Sequence, residues 1–590
     1  MRPPSLSLFA AALLICAALP VAGEEKPSLA PIEETIGVVV VNVDVVVVDK
    51  KGRPITGLTR DDFELLVDGR PTPLSNFFEV RDHAVAGERP ASPAAGATTP
   101  EEPAHVVVLI DNNHLTPAGR ERMLEVLPRF IEHEVRAGAR VMTVLHDQAP
   151  QVLQPFGADA RAHAESLRAI ADSTIEGIAR RRAWSGFIDD VRALLDSCDA
   201  VTFVPDAPCV ACAPDLINQA RIYAQTAQDQ RQRSLGGLAA VASALRGLPG
   251  RKVLLYVSDG FPQRPGIEAL YYLQELCPEN ATNFQNVLRD RPGAEQLRSL
   301  VAHANANRVT IYSLEARGLE AFSAASVEYA NIPRGATIGG GVGNPSPVVD
   351  DVLTANRQGA LFYVANETGG RALLNLNDPA PELIKLEAEL GHYYSLGFTP
   401  GGPADRDIHY LGVRLPRLRA KATVRHRRVF RHTSREDEIG ERALGAQLLG
   451  VESNELEARV VIGVPGAQTG GAFRVPVDVF IPLERLSLLP GDRLERGRLA
   501  VIVAAPDRRT HRTTLRKQEI GVALPDDARG YCRLGFELEL EAGEHLLGLG
   551  LWDRQADRTS FLRLPVSVDP ERALPPAGAA AGAASTPAGR

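Results

Sequence analysis

Two short acidic signatures are the residues of this chain best suited to chemistry. One is Val106-Val107-Val108-Leu109-Ile110-Asp111-Asn112-Asn113-His114-Leu115 and the other is Val253-Leu254-Leu255-Tyr256-Val257-Ser258-Asp259-Gly260. Each reads as a buried strand with an acid at its carboxyl end. In open α/β sheets, ligand sites form outside the carboxyl ends of the strands, where the strand order reverses. If these two strands are neighbours, Asp111 and Asp259 converge on one crevice. Two close carboxylates repel, so they need a cation, a shared proton or hydrogen-bond donors from Asn and Ser. His114 and His146 lie near in sequence and are expected to be loop or surface histidines.

Such acids need a rigid sheet behind them. Ala118–Val135 carries Met123, Leu124, Leu127, Phe130, Ile131 and Val135 at helical spacing, with Pro128 expected to bend the helix. Val141–Leu145, Val309–Leu314 and Ala372–Leu376 read as further strands, and Leu216–Leu248, Val352–Asn366 and Pro381–Leu390 as helices. Strands that are apolar throughout and alternate with helices predict a doubly wound, mostly parallel α/β sheet over residues 105–391.

Around this domain the hydrophobic period becomes two. Residues 34–82 form a strand-rich N-terminal unit with a hairpin turn at Asp68-Gly69, and 83–104 read as a linker rich in Ala, Pro, Thr and Gly. Residues 392–431 read as antiparallel strands. The N-terminal segment is too short to bury a sound core alone, so the two are expected to complete one β unit into which the α/β domain is inserted. Residues 445–569 carry about seven short alternating strands, which predicts a β-sandwich. Residues 570–590 are an Ala/Gly/Pro-rich tail expected to be disordered. The Arg- and His-rich stretch Arg414–Arg431 is read as a solvated strand face, with a polyanion patch as the sharper alternative. Trp184 and Tyr271-Tyr272 are expected to pack in a core or at an interface.

The chain has 590 residues with 44% hydrophobic and 23% charged residues, which are ordinary globular values. A net charge of −8 gives no global attraction to nucleic acid or to an anionic membrane. Residues 1–23 have a basic start, an apolar core at Leu6–Leu19 and small residues before Glu24, which predicts a secretory signal peptide and an extracytoplasmic protein, periplasmic or released. No later segment is long and apolar enough to span a bilayer. Outside the cytoplasm thiols tend to pair. Cys198, Cys209, Cys212 and Cys277 are the disulfide candidates, in any of about three pairings, and Cys532 is expected to be a buried free thiol. Cys209 and Cys212 have the spacing of half a zinc site, but no second such pair accompanies them.

The order of these motifs resembles the von Willebrand factor A (vWA) domain. That family has a strand ending in Asp-x-Ser-x-Ser, a Thr before a later helix, and a strand ending in Asp-Gly, which together hold Mg²⁺ in a metal-ion-dependent adhesion site. The resemblance puts Asp111 in the first position, Asn113 where the first Ser stands, Ser234 of Arg233-Ser234-Leu235-Gly236-Gly237-Leu238 in the Thr position, and Asp259 in the last. Leu115 occupies the second Ser position and cannot ligate. A hard octahedral cation takes about six oxygens. The implied ligand set is therefore degenerate: no resident cofactor is expected, with Mg²⁺ as the open alternative. Without a cation, Asp111 and Asp259 would bond to loop N–H groups, Asn113 and Ser234. A closer resemblance is to the VWFA-related family typical of Acidobacteria. It is carried by the strand unit at Val45–Asp68, Leu248–Asp259, Ala304–Leu319, the turn Thr368-Gly369-Gly370 and Tyr393–Pro400, and it covers roughly residues 35–430.

The resemblance implies a non-catalytic module that presents its crevice to a protein partner. A structural envelope scaffold is the second reading and a hydrolase the third. Hydrolase motifs are missing: Trp184-Ser185-Gly186 lacks the first Gly of a nucleophile elbow, and His133-Glu134 lacks the second His of a zincin.

Overall fold

The computed structural model describes residues 40–81, 84–86, 103–147, 149–170, 177–202, 212–246, 248, 250–278, 294–318, 347–401, 407–418, 422–432, 434–468, 472–488, 494–507, 512–525 and 530–574. The expected export signal lies outside these residues, as do Cys209 and the greater part of the tail. The chain divides into two compact units, Val38–Leu245 with Pro249–Thr433, and Ser434–Arg590 grouped with Arg246–Leu248 and the N-terminal residues.

The first unit opens with β1 (Val41–Val48), β2 (Glu64–Val67), β3 (Arg70–Thr72), β4 (Asn76–Arg81) and β5 (Ala84–Ala86). The α/β part follows with β6 (His105–Asp111), α1 (Pro117–Arg136), β7 (Arg140–His146), β8 (Pro150–Gly157), α2 (Ala160–Ala169), α3 (Gly177–Thr202), α4 (Ala213–Ala244) and β9 (Lys252–Ser258). It continues through α5 (Ile267–Leu276), α6 (Ala294–Ala306), β10 (Val309–Glu315), α7 (Pro347–Glu367), β11 (Ala372–Leu373) and α8 (Ala380–Gly391). The unit closes with β12 (Tyr393–Phe398), β13 (Ile408–Arg414), β14 (Thr423–His426) and β15 (Val429–Arg431).

The central sheet runs β11-β10-β9-β6-β7-β8. β6, β7, β9, β10 and β11 are parallel, and β8 is an antiparallel edge. In chain order this is 3-2-1-4-5-6, so the order reverses between β6 and β9, the two strands that end in Asp111 and Ser258-Asp259. Every residue of both strands is buried, as expected when helices cover both faces. Val106, Val108 and Ile110 pack with Met123, Leu127, Phe130 and Ile131 of α1 and with Leu383, Leu386 and Leu390 of α8. Thr116 caps α1, its Oγ1 accepting from the Gly119 N–H at 3.1 Å, and Pro117 follows in the first turn, where its missing N–H costs nothing. Pro128 sits inside the one continuous helix.

The β segments on either side of the α/β part pair with each other. β1 lies between β12 and β14, β4 pairs with β12, and β2 pairs with β13, so residues more than 300 positions apart share a sheet. Asp68 and Gly69, at φ 50° and 78°, make the tight turn between β2 and β3. Ala84–Ala86, expected in the linker, instead pairs with β4, a backbone match that alanine's weak strand preference conceals.

A second apolar cluster forms apart from the sheet core. Trp184, Phe187, Ile188, Val191 and Leu195 of α3 pack against Leu216, Ala220 and Tyr223 of α4 and against Ala269, Leu270, Tyr272 and Leu273 of α5. Cys198 and Cys212 are bonded across it, Cys277 is also disulfide-bonded, and Cys532 is free and buried. The Cys198–Cys212 bridge closes a loop of sequence separation 14, which by loop-closure entropy contributes about 3 kcal/mol. Cys212→Ser is therefore expected to destabilise this helical cluster by about that amount. Denaturant melts followed by Trp184 fluorescence in a Trp552→Phe background would check it; an unchanged midpoint would refute it.

In the second unit α9 (Arg435–Leu449) precedes β16 (Ser453–Asn454), β17 (Arg459–Ile462), β18 (Gly466–Ala467), β19 (Phe473–Pro482), β20 (Leu494–Asp507), β21 (Arg512–Pro525), β22 (Tyr531–Leu540), β23 (Gly543–Asp553) and β24 (Arg558–Val568). One sheet runs β16-β24-β23-β20-β21; the other is built on β19, flanked by β17, β18 and β22. Alternating residues of both sheets, among them Val475, Val477, Val479, Leu534, Phe536, Val501 and Leu549, fill one core. Ile439, Ala443 and Ala446 of α9 pack on the outer face of the first sheet, so this unit starts before residue 445. Leu574, expected in the tail, bonds through its N–H to the Pro465 carbonyl.

Candidate functional site

The loop from Asp111 to Thr116 is folded inward. Asp111 is 0% exposed, and its carboxylate accepts from five donors. Oδ1 takes the Asn113 N–H at 3.2 Å and the Asn113 amide at 3.1 Å. Oδ2 takes His114 Nδ1 at 3.0 Å, Ser234 Oγ at 2.8 Å and the Tyr256 hydroxyl. A carboxylate has about four lone-pair sites, so Asp111 is saturated. Burial works against its charge, but the adjacent His114, by charge and by hydrogen bond, then His146 and Tyr256, hold the carboxyl well below its ordinary range. Burial and then the Asp111 charge push the Tyr256 phenol far above its own.

Ser234 and His114 do not make a nucleophile and base. His114 Nδ1 is 2.8 Å from Ser234 Oγ and 3.0 Å from Asp111 Oδ2. With Nδ1 as donor to the carboxylate, the Ser234 proton goes to Asp111. An activating triad needs the base bonded to serine through one ring nitrogen and to the acid through the other. Here both contacts use Nδ1.

Asp259 does a different task on the same rim. Its N–H donates to the His114 carbonyl at 3.1 Å, and its Oδ2 accepts from the Thr116 N–H at 2.7 Å. Gly119 stands where a Cβ would come within 2.7 Å of Asp259 Oδ1, so the carboxylate rests on the first turn of α1, at the positive end of the helix dipole. Asp111 and Asp259 thus stand at the ends of the two neighbouring strands at the switch point, each held by its own donors. Leu115 turns into the sheet core at 0% exposure and offers no oxygen.

Ser234 lies inside α4 and is buried because Gly237 lets this helix close on β7. A Cβ at Gly237 would come within 2.5–2.7 Å of the His146 ring, and His146 Nε2 lies 2.9 Å from the Arg233 carbonyl. Asn113 also donates its amide to the His146 carbonyl at 3.2 Å. His114 and His146, expected at the surface, are 0% and 1% exposed: they are packing and hydrogen-bonding members of the site. The Asn112 amide reaches Asp147 at 2.5 Å. Sequence reasoning missed Tyr256 and His114 as members. The available signal was a lone phenol in an aliphatic strand, whose hydroxyl must find a partner when buried.

The rim is also covered. Ser234 is level with Asp111, and about 30 Å of α4 precedes it at ~1.5 Å per residue. That length carries the α3–α4–α5 cluster beyond the carboxyl edge of the sheet, as a roof. Asn112, Asn113, His114, Thr116, Ser258, Asp259 and Phe261 are all buried. A shallow concavity lies at the foot of the roof, lined by Tyr223, Thr226, Gln230, Pro262, Glu268 and Arg357. Glu268 there accepts from the Tyr223 hydroxyl at 2.7 Å and from Asn356 at 3.4 Å. Among the described residues no group of three His, Cys, Asp or Glu side chains is disposed to hold a metal ion. No described helix is long and apolar enough to cross a membrane.

The basic stretch does not form one solvated face. Arg414 and Arg417 are exposed and pair with Glu64 and Asp62, whereas His426 and Arg427 are buried and Arg425 reaches the buried Glu389 at 2.6 Å.

No family model matches the chain, and no curated protein matches it. Among solved structures it is similar to a serine-substituted form of an aerotolerance-related membrane protein from Bacteroides fragilis, at 10% identity and a TM-score of 0.23 over 49% of this chain and 98% of that one. It is also similar to the structural genomics target SoR45, at 10% identity and a TM-score of 0.14 over 19% of this chain and 86% of that one. Likeness at these scores carries no argument about function.

Proposed function

We propose that this is an extracytoplasmic, non-catalytic binding module of vWA-like type, in which the adhesion site has become a metal-free internal lock. One observation carries the reading: the Asp111 carboxylate at the switch point is saturated by Asn113, His114, Ser234 and Tyr256. A cation would have to displace these donors, and the hydrogen bonds they already make hold the carboxylate in its place. The disulfides and the lack of a membrane-crossing helix among the described residues are compatible with an exported chain. With the rim buried, a protein partner meets the roof built on α3, α4 and α5 and the loop after Asp259, with the carboxylates acting from within as supports.

Calorimetry with Mg²⁺ and Mn²⁺ on the full chain tests the lock. The expected result is no binding heat at millimolar metal, with no change in thermal stability on adding a chelator. A one-site isotherm that is lost in Asp111→Ala would overturn it. The scaffold reading differs in having no discrete partner, so partner binding abolished by substitutions on the roof surface separates the two.

A further inference from the structure

Where the inserted α/β part rests on the β unit, contact is made by an unusual pair, a buried histidine followed by a buried arginine. β14 ends at His426, and the turn Thr368-Gly369-Gly370 after α7 lies directly on it. A Cβ at Gly369 would come within 2.5 Å of the His426 carbonyl carbon and 2.7 Å of the Arg427 nitrogen, and Gly369 holds φ +85°. Arg427 then joins the two parts through main-chain acceptors, donating to the Asn42 carbonyl of β1 at 2.6 Å and to the Asn305 carbonyl of α6 at 3.5 Å.

The hydrogen bonds of His426 define its protonation state. Nδ1 is 2.7 Å from the Arg427 carbonyl, which only accepts, so Nδ1 carries the proton. Nε2 is 3.2 Å from the Val413 N–H, which only donates, so Nε2 must be a bare acceptor. The ring is neutral by geometry. A second proton would set two donors against each other inside the sheet. The charges around it add to the effect: Arg427 and Arg428 stand next to it, and Arg427 in turn feels Arg308 from the α6–β10 connection and Asp44 from β1. The glycine turn contributes no charge, and Arg371 beyond it and Arg425 before it are engaged with Glu389.

We propose that the His426–Arg427 segment is an acid-released latch between the inserted α/β part and the β unit that carries it. Protonation of His426 breaks its bond to the Val413 N–H, places a cation beside Arg427, and frees the contact with the 368–370 turn while both parts stay folded. Burial pushes His426 down to about 4 from its ordinary 6.5, so the closed contact is fully stable above the open-state value and weakens as pH falls from there toward 4. Linkage between these values gives about a 30-fold rise in the opening equilibrium from pH 7.5 to pH 5.

Hydrogen exchange read by mass spectrometry on the full chain, corrected for the intrinsic pH dependence of exchange, tests this. The expected result is an opening about 30-fold more frequent at pH 5 for peptides covering 411–415, 422–432 and 366–371, with the strands at 106–110 and 253–257 unchanged. In His426→Gln, whose amide can both accept from Val413 and donate to the Arg427 carbonyl, this response should vanish. His163, also buried and pushed down, lies in α2 against Thr143 of β7 and would leave the response in that variant intact if it were the source. The latch is overturned by an unchanged pH response in His426→Gln, by parallel loss of protection in the central strands, or by no response in the wild type. Should the variant not fold, selective ¹³C-histidine labelling of the wild type decides the matter: a His426 titration near 6.5 or above refutes the latch, and one at or below about 5 supports it.

Discussion

Asp111→Ala is expected to lower the stability of the first unit by about 3–5 kcal/mol, the usual cost of removing one member of a buried ionic network. The substitution leaves His114, Ser234, Tyr256 and Asn113 without the acceptor they share, in a pocket closed to water. Each stranded donor carries its own desolvation cost of about 1–3 kcal/mol, reduced where the loop can relax. Asp111→Asn should cost less, because one amide oxygen still accepts while the amide nitrogen faces other donors. The pH dependence has a definite sign. The carboxyl is held below its unfolded value, so its contribution is fully present above the unfolded carboxylate range and is lost as pH falls through and below it. The gap between wild type and Asp111→Ala should therefore be large near pH 6 and narrow below about pH 4. Urea unfolding followed by Trp184 fluorescence in the Trp552→Phe background measures it. A loss under 1 kcal/mol would mean that the network does not hold the rim together.

Residue types alone reveal the two acids but not the donors that hold them. Asp111 and Asp259 were legible because five-residue apolar runs lie just before them, and such runs have few places to go other than a covered sheet. Their adjacency follows from topology, since β6 and β9 are the strands at which the order reverses. What was not legible was the direction in which the loop donors point. His114 sits three residues after Asp111, a spacing compatible with an exposed loop until the roof is in place, and the roof depends on contacts among α3, α4 and α5 far apart in sequence. β8 went unseen for a local reason: Pro150, Gln151, Gln154 and Pro155 break the apolar pattern of an edge strand. The sequence pattern places His426 and Arg427 on a solvated face because alternation along a strand identifies two faces without saying what covers the second one. The aliphatic pattern thus reports where a strand is buried, and is silent about which polar groups its neighbours bury with it.

Gly237→Val is the other substitution with a large expected effect, about 4 kcal/mol of destabilisation. Valine has a better helix propensity than glycine, so on an isolated helix the change would stabilise. The cost comes wholly from the approach to His146, where even a Cβ falls within 2.5 Å of Nε2 and 2.6 Å of Cε1. Overpacking of a close-packed core costs about 1–3 kcal/mol. Pushing α4 away also breaks the contact of His146 with the Arg233 carbonyl and withdraws Ser234 from Asp111, a further net cost of about 1 kcal/mol for each bond. The neighbouring glycine is the control: a Cβ at Gly236 meets nothing within 4 Å, so Gly236→Ala should stabilise by up to about 1 kcal/mol. A double-mutant cycle isolates the cause. In a His146→Ala background the ring is gone, and the penalty of Gly237→Val should fall below about 1 kcal/mol, a coupling of about 3 kcal/mol. Additive effects would show that the glycine acts through the backbone and not through the ring, and Ser234 would then owe its position to the roof cluster instead of to the closeness of α4 and β7.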